Sequence, residues 1–243
     1  MTAPCATFLL CLTLAMTAPS QNTQRQIEPA HDRVILIHGL GRSPLSMMRL
    51  QWTLRRAGYQ VSNLRYPSRR ADCFQVAFSR LDAIINQSHS GKIHFVTHSL
   101  GGIIVRQYLA GREIPNLGRV VMLAPPNHGS ELADHLRNNP LGRWITGPIG
   151  RQMGTTPGDL SAQLGPARFQ VGVIAADGPG FPWYPGVFQA PNDGIVSVES
   201  AKLDGMTDFL VVRGSHTFIM WRRETARQVQ SFLREGRFTP LPR

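Results

Sequence analysis

The chain has 243 residues, 42% of them hydrophobic and 17% charged, so it holds enough apolar material for one domain of the larger α/β kind. Its formal net charge is +11, and Lys92 and Lys202 are the only lysines among the basic residues. The arginines are scattered without a basic arm or interleaved aromatics, so nucleic acid is not an expected partner. The charge points instead to anionic surfaces, acidic lipid headgroups included.

Residues 1–20 differ in character from the rest of the chain. Residues 6–16 form a mostly apolar run too short to span a bilayer, and after it come Thr17, Ala18, Pro19 and a polar stretch. This segment resembles a secretory signal peptide with cleavage near Ala18, although no Lys or Arg precedes the apolar run. Export to the periplasm or beyond is the expectation. The alternative is a cytoplasmic protein, or one held by an uncleaved N-terminal segment. Cys5 and Cys11 lie within the segment, and its removal leaves Cys73 alone, with neither an internal disulfide nor a cysteine metal site. Residues 21–32 read as a linker and 33–243 as the folded domain.

From Arg33 onward short apolar runs alternate with longer amphipathic ones. Strands are expected at 34–38, 61–66, 92–97, 119–124, 168–176 and 208–213. Ser43 and Pro44 open a first helix, which Gly58 closes. Asp72 caps a second, in which Phe74, Phe78, Leu81 and Ile85 recur at helical spacing. Further helices are expected over 100–109 and, to close the chain, 217–234. Six buried-type strands separated mostly by helices imply a parallel sheet covered on both faces, with right-handed crossovers placing all strand C-terminal ends on one edge. Ligand sites form on that edge in such folds. Residues 125–166, rich in Gly and Pro, break the alternation and read as a small cap over it. A second long loop, 178–191, concentrates Phe181, Trp183, Tyr184 and Phe188, which suits either a binding wall or ordinary loop packing.

The stretch that organises the chain is Thr97-His98-Ser99-Leu100-Gly101-Gly102, at a strand-to-helix junction. This is the layout of a nucleophile elbow, in which a tight turn strains the serine backbone and lifts its hydroxyl clear of the sheet. Thr97 stands where the Gly-x-Ser-x-Gly pattern has its first glycine. Gly101 and Gly102 let the helix return close over the strand. The N–H of Leu100, at the helix N-terminus, is free to bind a developing oxyanion.

A serine nucleophile needs a histidine base and a carboxylate to orient it, and the chain order should then be Ser, acid, His. His216 directly follows the last strand and suits the base. Two carboxylates compete for the third role: Asp177, at the end of its strand, and Asp193, within Pro191-Asn192-Asp193-Gly194. The first strand ends in His38-Gly39-Leu40-Gly41, where the N–H of Leu40 can supply a second oxyanion donor. His38 precedes the serine and reads as a structural hydrogen-bonding residue. His98 reads likewise, as packed beside the nucleophile. No pair of histidines has metal-ligand spacing with a carboxylate, and no cofactor motif is present.

Taken together, these motifs resemble the α/β-hydrolase superfamily, and within it the bacterial lipase and esterase branch. The resemblance rests on Val34-Ile35-Leu36-Ile37-His38-Gly39-Leu40, on the Ser99 elbow, on Pro125-Pro126-Asn127-His128-Gly129-Ser130, on Asn192-Asp193-Gly194-Ile195-Val196 and on Gly214-Ser215-His216. It spans about residues 33–235, and the antiparallel strands that open larger hydrolases are missing. It implies an α/β-hydrolase fold with a reduced core, and a triad of Ser99, Asp193 and His216. It also implies an oxyanion hole made by Leu40 and Leu100, and cleavage of small-molecule or lipid carboxylic esters through an acyl-enzyme. Acyl transfer or thioester cleavage uses the same machinery, and a non-catalytic lipid-binding module on this fold is the rival from another class.

Overall fold

Six short runs, the central ones apolar and buried on both faces, form one sheet in the computed structural model, which describes residues 32–88, 90–178 and 186–241. The segment read as a leader therefore lies outside the described residues, as do Phe181, Trp183 and Tyr184 of the aromatic loop. The strands are β1 (Arg33–Ile37), β2 (Gln60–Leu64), β3 (Ile93–His98), β4 (Leu117–Leu123), β5 (Val171–Ala176) and β6 (Asp208–Val212). They pair in the order β2-β1-β3-β4-β5-β6, all parallel. The order reverses at β1, so β1 and β3 are neighbours, with Ile37 level with Thr97. A crevice at such a reversal is where ligands bind in open parallel sheets.

Period-two alternation divides the core. Val34, Leu36, Val96 and Val121 face one side, against Leu50 and Leu54 of α1 (Met48–Arg56) and Val229 and Phe232 of α7 (Arg223–Glu235). Ile35, Ile37, Phe95 and Val120 face the other, against Leu81 of α2 (Cys73–Asn86) and Ile103 and Ile104 of α3 (Leu100–Ala110). The fold is therefore the expected sheet with helices on both faces.

Local details depart from the sequence reading. Asp72 stands at the N-terminus of α2, but its carboxylate pairs with Arg70 at 2.6 Å instead of capping a helix N–H. The first helix begins as a tight 3-10 turn, Pro44–Met47, before α1. The closing helix is not continuous from 217: a 3-10 turn, Ile219–Trp221, comes first, and Arg222 is extended (φ −75°, ψ 141°) before α7 starts. A short helix, Val198–Ala201 (α6), adds to the elements expected from the sequence.

Residues between β4 and β5 carry α4 (Glu131–Arg137) and α5 (Pro140–Gly150), which lie over the sheet's C-terminal edge. Ser130 caps α4 by accepting from the Ala133 N–H, and Gly147 kinks α5 with φ 68° ahead of Pro148. Arg106, buried on α3, anchors both ends of this cap. Its guanidinium donates to the carbonyls of Asn127, Leu164 and Gly165. A buried cation is tolerated because these acceptors replace its water.

Candidate active site

Ser99 sits between β3 and α3 with φ 53° and ψ −123°, a conformation that only glycine adopts without strain. The turn is held by the Ser99 N–H donating to Leu123 O and the Gly102 N–H donating to Ser99 O, at 2.9 and 2.8 Å. Gly101 is required and Gly102 sits tightly, but against different neighbours than the elbow strand. A Cβ at Gly101 would lie 2.5 Å from the carbonyl oxygen of Ile37, at the end of β1, and one at Gly102 3.1 Å from Pro125, just past β4. The two glycines thus seat α3 against the ends of the flanking strands. Thr97, at the pattern's first glycine position, is fully buried, and its hydroxyl finds no partner among the described groups.

His216 Nε2 lies 2.9 Å from Ser99 Oγ, and His216 Nδ1 lies 2.8 Å from Asp193 Oδ2. All three side chains are buried. The structure thus brings Ser99, His216 and Asp193 together. Asp177, by contrast, is exposed at the end of β5. Asp193 is held by its own turn: Oδ1 accepts from the N–H groups of Ile195 and Val196 at 3.0 and 2.8 Å. Val196 is buried in the core, which fixes the turn against the sheet.

His216 must cross from β6, at the sheet edge, to β3. Three contacts besides the one to Ser99 hold it there. Nδ1 meets Asp193 Oδ2, its N–H donates to Asp193 O at 3.0 Å, and its carbonyl accepts from His98 Nε2 at 3.0 Å. His98 Nε2 therefore carries the proton, and Nδ1 is left as an unpaired acceptor beside Gly39. Burial, and then the nearby His216, hold the pKa of His98 well below its ordinary 6.5, so the ring is neutral. His38 bonds Gly39 O through Nδ1 and stacks on Tyr66 with ring centroids 4.3 Å apart. Both histidines serve as fasteners.

This yields a pH expectation. Burial lowers the pKa of His38, His94 and His98 alike. Below the ordinary 6.5 the unfolded chain binds protons that the folded chain refuses, so the contribution of these groups is complete above that value and declines as pH falls. Urea midpoints should drop steadily from pH 7 to pH 5. His98→Gln, which retains a donor toward His216 O, should show a shallower slope; an unchanged slope would remove His98 from this account.

The turn after β1 faces the elbow. Tyr66 Oη donates to His38 O at 2.5 Å, Gly41 N–H donates to Ser68 Oγ at 3.0 Å, and Arg42 N–H donates to Gly39 O at 3.2 Å. A Cβ on Gly39 would lie 3.0 Å from Ser99 Cβ, so only glycine permits this approach. The N–H groups of Leu40 and Leu100 have no acceptor among the described residues, and both residues line the cavity over Ser99. That cavity measures about 300 Å³, and its wall is mostly apolar, with Leu132, Leu136 and Met153 from the cap and Ile195 and Val196 from the acid loop.

Sequence reasoning missed what secures the acid loop. Ser130 Oγ donates to Ile195 O, Ser200 Oγ donates to Gly129 O at 2.6 Å, and Asn127 Nδ2 donates to Ala201 O at 2.9 Å. The Asn127-His128-Gly129-Ser130 segment is therefore the clamp between the cap entry and the acid loop. Its polar residues were a signal, but their partners lie some 70 positions away in sequence.

A model of the alpha/beta hydrolase family matches residues 34–236. The chain belongs to that family. Among solved structures, this hydrolase is similar to the Bacillus licheniformis lipase BlEst2 in mature form, at 20% identity and TM-score 0.66, over 86% of this chain and 93% of the lipase. It is also similar to the metagenomic carboxyl esterase MGS0156, at 20% identity and TM-score 0.58, over 78% of this chain and 65% of the esterase. A third similar structure, Aspergillus fumigatus lipase B, has 15% identity and TM-score 0.58, over 84% of this chain and 53% of that one. At these identities the likeness is one of fold. No curated protein matches the chain.

Proposed function

We propose that this hydrolase cleaves carboxylic esters with Ser99 as nucleophile, His216 as base and Asp193 as the carboxylate that orients it. The observation that carries the reading is the continuous chain of contacts from Ser99 Oγ through His216 to Asp193, at 2.9 and 2.8 Å, on a strained elbow. His216 Nε2 accepts the Ser99 proton as Oγ bonds to the ester carbonyl carbon. The N–H groups of Leu40 and Leu100 take up the charge on the carbonyl oxygen. The bond to the alcohol oxygen then breaks, and His216 returns the proton to the departing alcohol. Water, deprotonated by the same nitrogen, cleaves the acyl–serine ester and restores Ser99. Asp193 keeps the His216 proton on Nδ1, so Nε2 faces the serine as a base.

The apolar cavity favours an aliphatic ester arm. Leu141, Trp144 and Ile145, exposed on α5, together with the chain's excess of arginine, support a substrate drawn from an anionic lipid surface. Incubation with a fluorophosphonate should label Ser99 stoichiometrically and abolish hydrolysis of p-nitrophenyl esters tested across acyl lengths. A folded protein that neither takes the label nor hydrolyses any member of that series would sink the reading.

A further inference from the structure

A second groove adjoins the site. It measures about 410 Å³ and runs between Leu45, on the 3-10 turn after β1, and Thr217, Phe218 and Trp221, which follow His216. It shares Gly41 and Arg42 with the cavity over Ser99, so the two lie side by side with Arg42 between them. No acidic residue lines either one, and Arg42 is the only arginine or lysine among the described lining residues of both.

Arg42 differs from the arginines that hold the fold together. Arg70, Arg112 and Arg137 each pair with a carboxylate, and Arg106 is satisfied by carbonyls. The guanidinium of Arg42 makes no hydrogen bond or ion pair among the described residues. Its backbone is nevertheless fixed, on the same turn that presents the Leu40 N–H, by the Arg42-to-Gly39 and Gly41-to-Ser68 hydrogen bonds. The charge also reaches the site, where it adds to the effects that keep His98 neutral. An exposed cation without a counter-ion, carried on a fixed turn between an apolar cavity and an aromatic groove, favours an anion on the ligand.

We propose that this groove is a subsite for the arm of the ester that leaves the cavity past Arg42, and that this arm carries an anionic oxygen group bound by the Arg42 guanidinium. Its apolar part lies on Leu45, Phe218 and Trp221, which are exposed on the free protein. Anchoring the anion on the Leu40 turn sets the ester carbonyl in register with the N–H groups of Leu40 and Leu100. The proposal rests on the ester-hydrolase reading above.

The test uses two esters that differ only in a phosphate, dibutanoylglycerol and its 3-phosphate, both kept monomeric so that adsorption to a lipid surface plays no part. The full protein should favour the phosphate ester by about tenfold in kcat/KM, as expected for a charge-assisted contact in a cleft. Arg42→Gln should bring the ratio to about one, and Arg42→Glu should invert it, by loss and reversal of the same contact. In the unaltered protein the preference should shrink as salt rises from about 0.02 M to about 0.5 M, which needs no variant to fold. Hydrolysis of both esters without preference would overturn the subsite, as would a preference that survives in Arg42→Gln. Failure to hydrolyse either ester, with no fluorophosphonate label on Ser99, would instead overturn the ester-hydrolase reading beneath it.

Discussion

Ser99→Ala and His216→Ala should each lose nearly all hydrolysis, by on the order of 10^6-fold in kcat, and the double variant should lose little more. The near-identity of the three losses is the informative part. His216 serves only to move the Ser99 proton, so without the serine it has nothing to act on. Without His216, the Ser99 hydroxyl stays protonated and unreactive. What should survive in every case is the contribution of the proposed Leu40 and Leu100 donors and of binding. The measurement is kcat on one p-nitrophenyl ester for the protein and the three variants. Losses that multiply would mean that the residues act independently, and would sink the assignment that the 2.9 Å contact between them supports. Ser99→Ala also relieves none of the backbone strain, because alanine at φ 53° is as strained as serine.

Asp193→Asn should cost about 10^4-fold in kcat while the protein remains folded. The amide oxygen can replace Oδ1 as acceptor for the Ile195 and Val196 N–H groups, so the turn is kept. The amide nitrogen then replaces Oδ2 and donates to His216 Nδ1. That moves the imidazole proton to Nε2, where it points at Ser99 and removes the base. Asp177→Asn should stay close to the unaltered protein, because Asp177 is exposed and Asp193 already occupies the approach to His216 Nδ1. Circular dichroism melts run beside the kinetics separate a chemical loss from unfolding. The opposite ranking of the two variants would transfer the acid role to Asp177 and leave those of Ser99 and His216 standing.

Local signals went far in this chain. Continuous apolar runs announced strands covered on both faces, and the Ser99 junction announced a strained turn, because backbone sterics act within a few residues. The same reasoning failed where a side chain had two local options. Asp72 is well placed to cap α2 but is taken by Arg70, two residues away. The helical pattern after Thr217 is real in composition, yet the extended backbone at Arg222 delays the helix until Arg223.

By itself, the sequence determined the strand set, the elbow and the order in which serine, acid and histidine follow one another, since each depends on neighbouring residues or on crossover handedness. The resemblance already pointed to Asp193 as the carboxylate; only the tertiary structure decided how it is held against His216. Asp177 directly follows β5 and Asp193 lies in a later loop on the same edge; two backbone N–H groups and one buried valine hold Asp193, whereas Asp177 is exposed. Tertiary packing also decided why Gly101 is needed, through Ile37 O, and what steadies the base, through His98 Nε2. Those partners come from other strands and loops, up to 118 positions away, and contacts at that range are set by how the sheet closes on itself, which no local pattern encodes.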